Sequence, residues 1–298
     1  MYNPQLETFI KVAQAGSFSK ASADLYITPT AVIKQINLLE QKLDLKLFIR
    51  THRGLKLTKA GESLYKDAKY LIKYSKESLI RARLAEKNTE EVIRIGTSPM
   101  TPTQFLIDLF PKINLKYPNI KFQLIPFENT PENAKEILQN LGDNIDLVAG
   151  IFDDDFLITR KCSALKLFDV CLCCGVSVRH KLATKTKLSV EDLADENLMM
   201  IGRGWNCYID ELRENIILNH SEINIIDFDF YNLDVFNLCE NENNLVVVSE
   251  NFLNVHPLLK ILPVNWGRDY KVPFGLLHAN KPTENVQLIL DEIEKIAK

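Results

Sequence analysis

Long apolar runs are missing from this 298-residue chain: none approaches the roughly 20 residues that a membrane-spanning helix needs. The first residues, Met1-Tyr2-Asn3-Pro4-Gln5-Leu6-Glu7, carry no basic segment leading into an apolar one. A secretory signal is therefore not expected, and the cytoplasm is the default location. Cysteine is absent from the first half of the chain. The six present, at 162, 171, 173, 174, 207 and 239, lack the regular spacing of a zinc site or a disulfide framework. Cys171, Cys173 and Cys174 fall in an apolar run, Leu167 to Val176, and read as small buried hydrophobes in a reducing compartment. Histidines are few and scattered, at 52, 180, 220, 256 and 278. Neither His-x-x-x-His nor Gly-x-Ser-x-Gly occurs, and there is no phosphate-binding glycine loop. Asp153-Asp154-Asp155 reads as a solvated turn. Neither an enzyme nor a bound cofactor or metal is expected.

What is present is a split in charge. Residues 1–90 carry 16 Lys/Arg against 9 Asp/Glu, a net +7, and the remainder carries 20 against 30, a net −10. A basic end on an acidic body predicts that only one end meets a polyanion.

That end is patterned. Leu6, Phe9, Ile10 and Ala13 recur at helical spacing, so residues 4–15 should form a helix that Gly16 ends. Ser17-Phe18-Ser19 caps a second helix, about 20–26, and Thr28-Pro29 opens a third. The third should bury Val32, Ile36, Leu39 and Leu43 and expose Thr30, Ile33, Lys34, Asn37 and Gln41. Residues 47–58 alternate around Gly54 and read as a small cationic hairpin, a wing. From Ala60 to about Lys87 a long helix follows. Leu64, Ala68, Leu71, Ser75, Ser78, Ala82 and Ala85 fall at 4-3 spacing, widened by Tyr65, Ile72 and Leu79, as in a coiled-coil seam. Beyond the polar segment 87–91, strand-like and helix-like stretches alternate, which predicts α/β units in two lobes.

Phe9-Ile10-Lys11-Val12-Ala13-Gln14-Ala15-Gly16-Ser17-Phe18-Ser19-Lys20-Ala21 resembles helix 1 and the turn of the LysR-type regulators. Leu25 to Ile36, then Leu39-Glu40, resembles their recognition helix. Leu47-Phe48-Ile49-Arg50 and Leu57-Thr58-Lys59-Ala60-Gly61 resemble the wing and the start of the linker helix. Ile93-Arg94-Ile95-Gly96, Tyr117-Pro118-Asn119-Ile120 and Asp146-Leu147 extend the likeness more loosely. The chain departs from the usual family residues at Pro29, Thr30 and Ile33, and carries Asp44 where the family has glycine.

The resemblance implies a winged helix-turn-helix DNA-binding domain over 1–59, all-α with a small β wing, and a linker and dimerisation helix over 60–87. It implies an α/β effector-binding domain over 88–298, periplasmic-binding-protein-like, with lobes at 92–162 plus 266–298 and at 163–265. Double-stranded DNA would be met by Thr28, Pro29, Thr30, Ile33, Lys34 and Asn37 in the major groove. Arg50 and Arg53 on the wing, with Ser17, Ser19 and Lys20, would meet phosphates. Leu64, Ala68, Leu71, Ile72 and Leu79 would join two copies into a homodimer, with a tetramer through the effector domains. RNA polymerase is the further partner implied. A small-molecule effector, anionic or polar, would lie between the lobes at Ser98, Met100, Thr101, Phe127, Gly150, Ile151 and Arg203.

Overall fold

The computed structural model describes residues 2–51, 54–87, 91–101, 103, 106 and 109–297. The chain forms two compact units, Met1–Asn88 and Thr89–Lys298.

The first unit begins with α1 (Gln5–Ala15), α2 (Phe18–Leu25) and α3 (Pro29–Leu43). Leu6, Phe9 and Val12 of α1 are buried with Ala21, Val32, Ile36 and Leu39, each large side chain contributing about 1.5–3 kcal/mol by leaving water. Leu43, expected inside, is exposed at the end of the stripe. Thr28 caps α3 by accepting the Ala31 N–H at 3.2 Å, with Pro29 at the first helical position. Asp44 ends the helix in the left-handed region, φ 51°, which accounts for glycine being usual there in the LysR type; a short polar side chain tolerates the same backbone.

The wing is β1 (Phe48–Thr51) paired with β2 (Gly54–Leu57). Its start is clamped by the buried carboxylate of Glu40, which accepts the Leu47 and Phe48 N–H groups at 2.8 and 3.2 Å and pairs with Lys46 at 2.7 Å. Gly54, at φ 116°, lies so close to the α1–α2 turn that a Cβ would come within 2.8 Å of the Gly16 carbonyl; only glycine fits.

The long helix α4 (Lys59–Lys87) corrects the expected seam. Ala68 and Ile72 are buried against the unit's own core, and Leu64 and Tyr65 pack on it too. Leu71 and Leu79, by contrast, are 47% and 41% exposed. The expected stripe therefore divides between an inner and an outer face of one helix.

In chain order the second unit runs β3 (Glu91–Thr97), α5 (Phe110–Lys116), β4 (Ile120–Pro126), α6 (Pro131–Gln139), β5 (Leu147–Ile151), α7 (Asp154–Arg160) and β6 (Cys162–Ser177). It continues through β7 (Leu188–Ser189), β8 (Asn197–Ile201), α8 (Cys207–Asn219), β9 (Asn224–Phe228), α9 (Leu233–Asn241), β10 (Leu245–Ser249), β11 (Leu259–Asn265), β12 (Lys271–Ala279) and α10 (Glu284–Ala297). One sheet is ordered β4-β3-β5-β12-β6, the next continues β6-β10-β8-β9, and β11 also pairs with β6. Strand β6 serves both: Cys162–Cys171 pairs with β12, and Leu172–Ser177 pairs with β10 and β11. The lobes therefore part near Leu172, not at 163 as expected. Arg94 and Asp146 tie β3 to the entry of β5: the buried Asp146 carboxylate accepts the Arg94 N–H at 2.8 Å and lies 2.7 Å from its guanidinium.

Local features of the second unit refine the expected alternation. Strands β11 and β12 run through Pro263, Pro273 and Gly275, residues that weaken a strand. A bulge between Phe274 and Gly275 accommodates the break, and a Cβ at Gly275 would stand 2.0 Å from the Leu165 carbonyl. Asp153-Asp154-Asp155 is no solvated turn: buried Asp153 caps α7 through the Phe156 N–H at 2.7 Å. The segment after β3 closes as a tight turn, Thr101 N–H to Ser98 carbonyl at 3.0 Å, and α5 is described from Phe110. Between Thr101 and Phe110, residues 102, 104, 105, 107 and 108 lie outside the described residues.

Candidate nucleic-acid interface and ligand cleft

The first unit presents α3 with Thr28, Pro29, Thr30, Lys34 and Asn37 exposed and Ile33 half-buried. Lys34 and Asn37 stand one turn apart, so one face offers a cation and a two-way hydrogen-bonding amide, the groups that read base edges. Ser17 occupies the N-cap position of α2, yet its side chain makes no capping bond, leaving the hydroxyl for another acceptor or donor. Ser19 and Lys20 are exposed in the first turn of α2. The backbone of Arg50 pairs with Leu55 in the wing; Arg53 lies outside the described residues. The sequence reading passed over Tyr26. It caps α2 in the left-handed region, φ 55°, and is 95% exposed just before the recognition helix.

The second unit holds a mostly apolar, partly open cavity of about 320 Å³. Of the residues expected at an effector site, Met100, Thr101, Phe127, Gly150 and Ile151 line it; Ser98 and Arg203 do not. The Ser98 and Thr101 hydroxyls lie 2.9 Å apart, and Thr101 Oγ1 accepts the Ser98 N–H at 2.8 Å, so they close their own turn. Arg203 is exposed and pairs with Glu214 on α8, which raises its pKa further.

Three charged residues line the cavity: Lys135 and Asp229, both exposed, and Arg160, half-buried at the end of α7. The Arg160 guanidinium lies 4.0 Å from the centre of the Phe156 ring; it forms no ion pair among the described residues, although the Asp153 carboxylate is near enough to act on it through space. Burial pulls its pKa down from the ordinary arginine value, the mark of a cation short of solvent. Opposite stand Trp205, Tyr231 and Phe252. Trp205 meets Phe156 and Tyr231 edge-on at 6.1 and 5.5 Å, and its indole N–H is buried with no acceptor among the described residues. Arg160 escaped notice because the acidic run before it concealed a helix; Trp205 stood in the Gly202-Arg203-Gly204-Trp205 segment, where only the arginine was chosen.

The remaining chemistry is inert. Cys162, Cys173, Cys174 and Cys239 are buried and unpaired. Burial pushes the Cys173 and Cys239 thiols up to about 12, far from the thiolate that redox or metal chemistry needs. Among the described residues no group of His, Cys, Asp and Glu could hold a metal, and no helix is long and apolar enough to cross a membrane.

Comparison with known proteins agrees with both halves. The model of the bacterial regulatory helix-turn-helix protein, lysR family, matches residues 4–62, and that of the LysR substrate binding domain matches 86–221. The chain is similar to the uncharacterized HTH-type transcriptional regulator YvbU of Bacillus subtilis, 28% identical over 260 residues, 85% of this chain and 83% of that one. It is 32% identical over 138 residues to the uncharacterized HTH-type transcriptional regulator YbhD of Escherichia coli, 46% of this chain and 43% of that one. Its fold is similar to the crystal structure of CbnR, a LysR family transcriptional regulator, with TM-score 0.67 and 19% identity over the whole of both chains.

Proposed function

We propose, from the premise that this chain belongs to the LysR family of transcriptional regulators, that it works in the cytoplasm as a homodimer on an interrupted palindrome and answers to an organic anion with an apolar body. The DNA part of the reading rests on the exposed face of α3, Thr30, Ile33, Lys34 and Asn37, beside a wing on a segment of net +7. Arg50 and Arg53 supply backbone contacts that carry no sequence information. CbnR, which shares the fold, has been solved with its target DNA, and this supports the same use here.

One observation carries the effector part: Arg160, a half-buried cation that forms no ion pair among the described residues, lines a mostly apolar cavity to which Lys135 adds a second, exposed cation. A carboxylate there would gain charge-assisted hydrogen bonds in a poorly solvated site. The aromatic walls suit a flat or branched apolar body, and the Trp205 N–H offers one more donor. At roughly 30 Å³ per non-hydrogen atom, the volume suits an occupant of about ten such atoms. Occupancy changes the preference of the dimer between two arrangements and so its dealings with RNA polymerase. The cavity serves sensing, not turnover.

The test is a titration of the full chain with aromatic and branched monocarboxylates and their amides, followed by Trp205 fluorescence. Binding of an acid but not its amide, together with an altered DNA footprint, is expected. Equal binding of both would remove the anion from the reading.

A further inference from the structure

One carboxylate in the second unit caps two helices that belong to different lobes. Asp153 follows β5 in the first lobe and is 6% exposed. Its Oδ1 accepts the Phe156 N–H at 2.7 Å and so caps α7. Its Oδ2 accepts the N–H of Cys207, the first residue of α8 in the other lobe, at 2.6 Å. Helix α8 needs this help: its own cap, Asn206, is engaged with the Tyr208 N–H at 3.1 Å, which leaves the Cys207 N–H an orphan donor. Across the cavity a second bond joins the lobes, from Asn129 Nδ2, after β4, to the Tyr231 carbonyl, after β9, at 2.7 Å. The Phe156–Trp205 ring contact also crosses from one lobe to the other.

We propose that Asp153 is a latch between the lobes, and that its bond to Cys207 and the Asn129–Tyr231 bond open together to admit a molecule to the cavity. Both bonds use only groups of the chain itself, so closure is built into the fold. The strands that join the lobes cross near Leu172, where the Leu172 N–H bonds the Tyr270 carbonyl at 3.0 Å and the Trp266 indole N–H bonds the Leu172 carbonyl at 2.9 Å. A hinge there and bonds at the rim let the lobes part as rigid bodies, and the rim bonds then share one equilibrium. Partial burial and the Asp153 carboxylate push the Cys207 thiol up to about 11, so the thiol stays neutral beside the latch. An acid's affinity for the cavity is lowered by the fraction of time the latch is shut.

Hydrogen exchange on the full chain tests this without any ligand, so its outcome is separate from the effector reading. Selective ¹⁵N labelling of cysteine and tryptophan follows the Cys207 amide and the two indoles. Each variant is read at a group it does not touch. Asn129→Ala is read at the Cys207 amide. Asp153→Ser, which keeps a capping hydroxyl for α7 but is too short to reach Cys207, is read at the Trp205 indole. Each should exchange about tenfold faster than in the unaltered chain, as expected for loss of a hydrogen bond that favours closure. The Trp266 indole should not change, which separates opening of the lobes from the loss of stability that removing a cap from α8 brings in Asp153→Ser, and Asp154→Asn should alter neither probe. Should Asp153→Ser speed the Trp266 indole as well, the fold rather than the latch has opened, and Asn129→Ala decides. A Cys207 amide that exchanges at its original rate in Asn129→Ala overturns the proposal.

Discussion

The guanidinium of Arg160 and the ring of Phe156, four residues apart on one short helix, are stacked with 4.0 Å between cation and ring centre. The stack places the charge in the cavity wall instead of in water, and fixes its orientation without neutralising it. Arg160→Met keeps most of the volume and removes the charge. Affinity for a monocarboxylate should fall at least tenfold, since hydrogen bonds to charged groups are worth about 1.5–3 kcal/mol. DNA affinity without ligand should be unchanged, as a gel-shift titration would show. An unaltered affinity for the acid would place its anion elsewhere.

Glu40 links the recognition helix to the wing. The two N–H groups share Oε1, so Glu40→Gln keeps their acceptor but removes its charge and the Lys46 pair on Oε2. It should cost roughly 1–3 kcal/mol of stability in the first unit, measured by denaturant titration. The carboxyl is desolvated, which opposes ionisation, but the Lys46 pair and the two N–H donors outweigh this and hold its pKa below the usual glutamate value. The stabilisation is therefore fully present above about pH 4.5, the ordinary unfolded value, and is lost as pH falls through the lower folded value. The acid limb of the stability curve should flatten in Glu40→Gln; an identical limb would show that Glu40 is not the group titrating.

The two faces of α4 predict opposite outcomes for the same substitution. Leu71→Asp, on the outer face, should leave the helix-turn-helix unit folded and convert dimers to monomers in sedimentation. Ala68→Asp, on the inner face, should unfold the unit, because it places an unpaired charge in a packed core. Were Leu71→Asp to sediment as the original species, the outer face would not be the dimer seam.

On the DNA side, Arg50→Ala with Arg53→Ala should weaken binding to all sequences and reduce the slope of log affinity against log salt by about two, since each phosphate contact releases close to one counterion. Tyr26→Ala should weaken binding with little change in that slope, because its exposed ring brings a hydroxyl and a surface but no charge. An unchanged slope in the arginine pair would remove the wing from the interface.

The helix-turn-helix half was legible because its signals are local. Period, caps, proline at the start of α3 and the glycine before α2 all act within a few residues of each other, and the ordered anchors from Phe9 to Gly61 fixed the family. The same locality misled over α4: a 4-3 stripe is the same whether it meets a second copy or the chain's own α1, and only packing separates Ala68 from Leu71. In the second unit the alternation of strands and helices was readable, and so were the segments after β3, β4 and β5 that approach the cavity.

Which side chains face that cavity was decided by contacts between residues far apart in sequence. Ser98 and Thr101 looked like ligand hydroxyls until their turn closed on itself, and Arg203 was drawn away by Glu214. Asp153 looked like solvated acid until the fold brought the first residue of α8 to it across 54 positions. The sequence by itself determined the family, the elements of the helix-turn-helix half and the charge of each half, because period, composition and capping are properties of neighbours. Only the tertiary structure decided which cation is half-buried in the cavity wall and which carboxylate joins the lobes, because burial and pairing depend on distances that no local pattern carries.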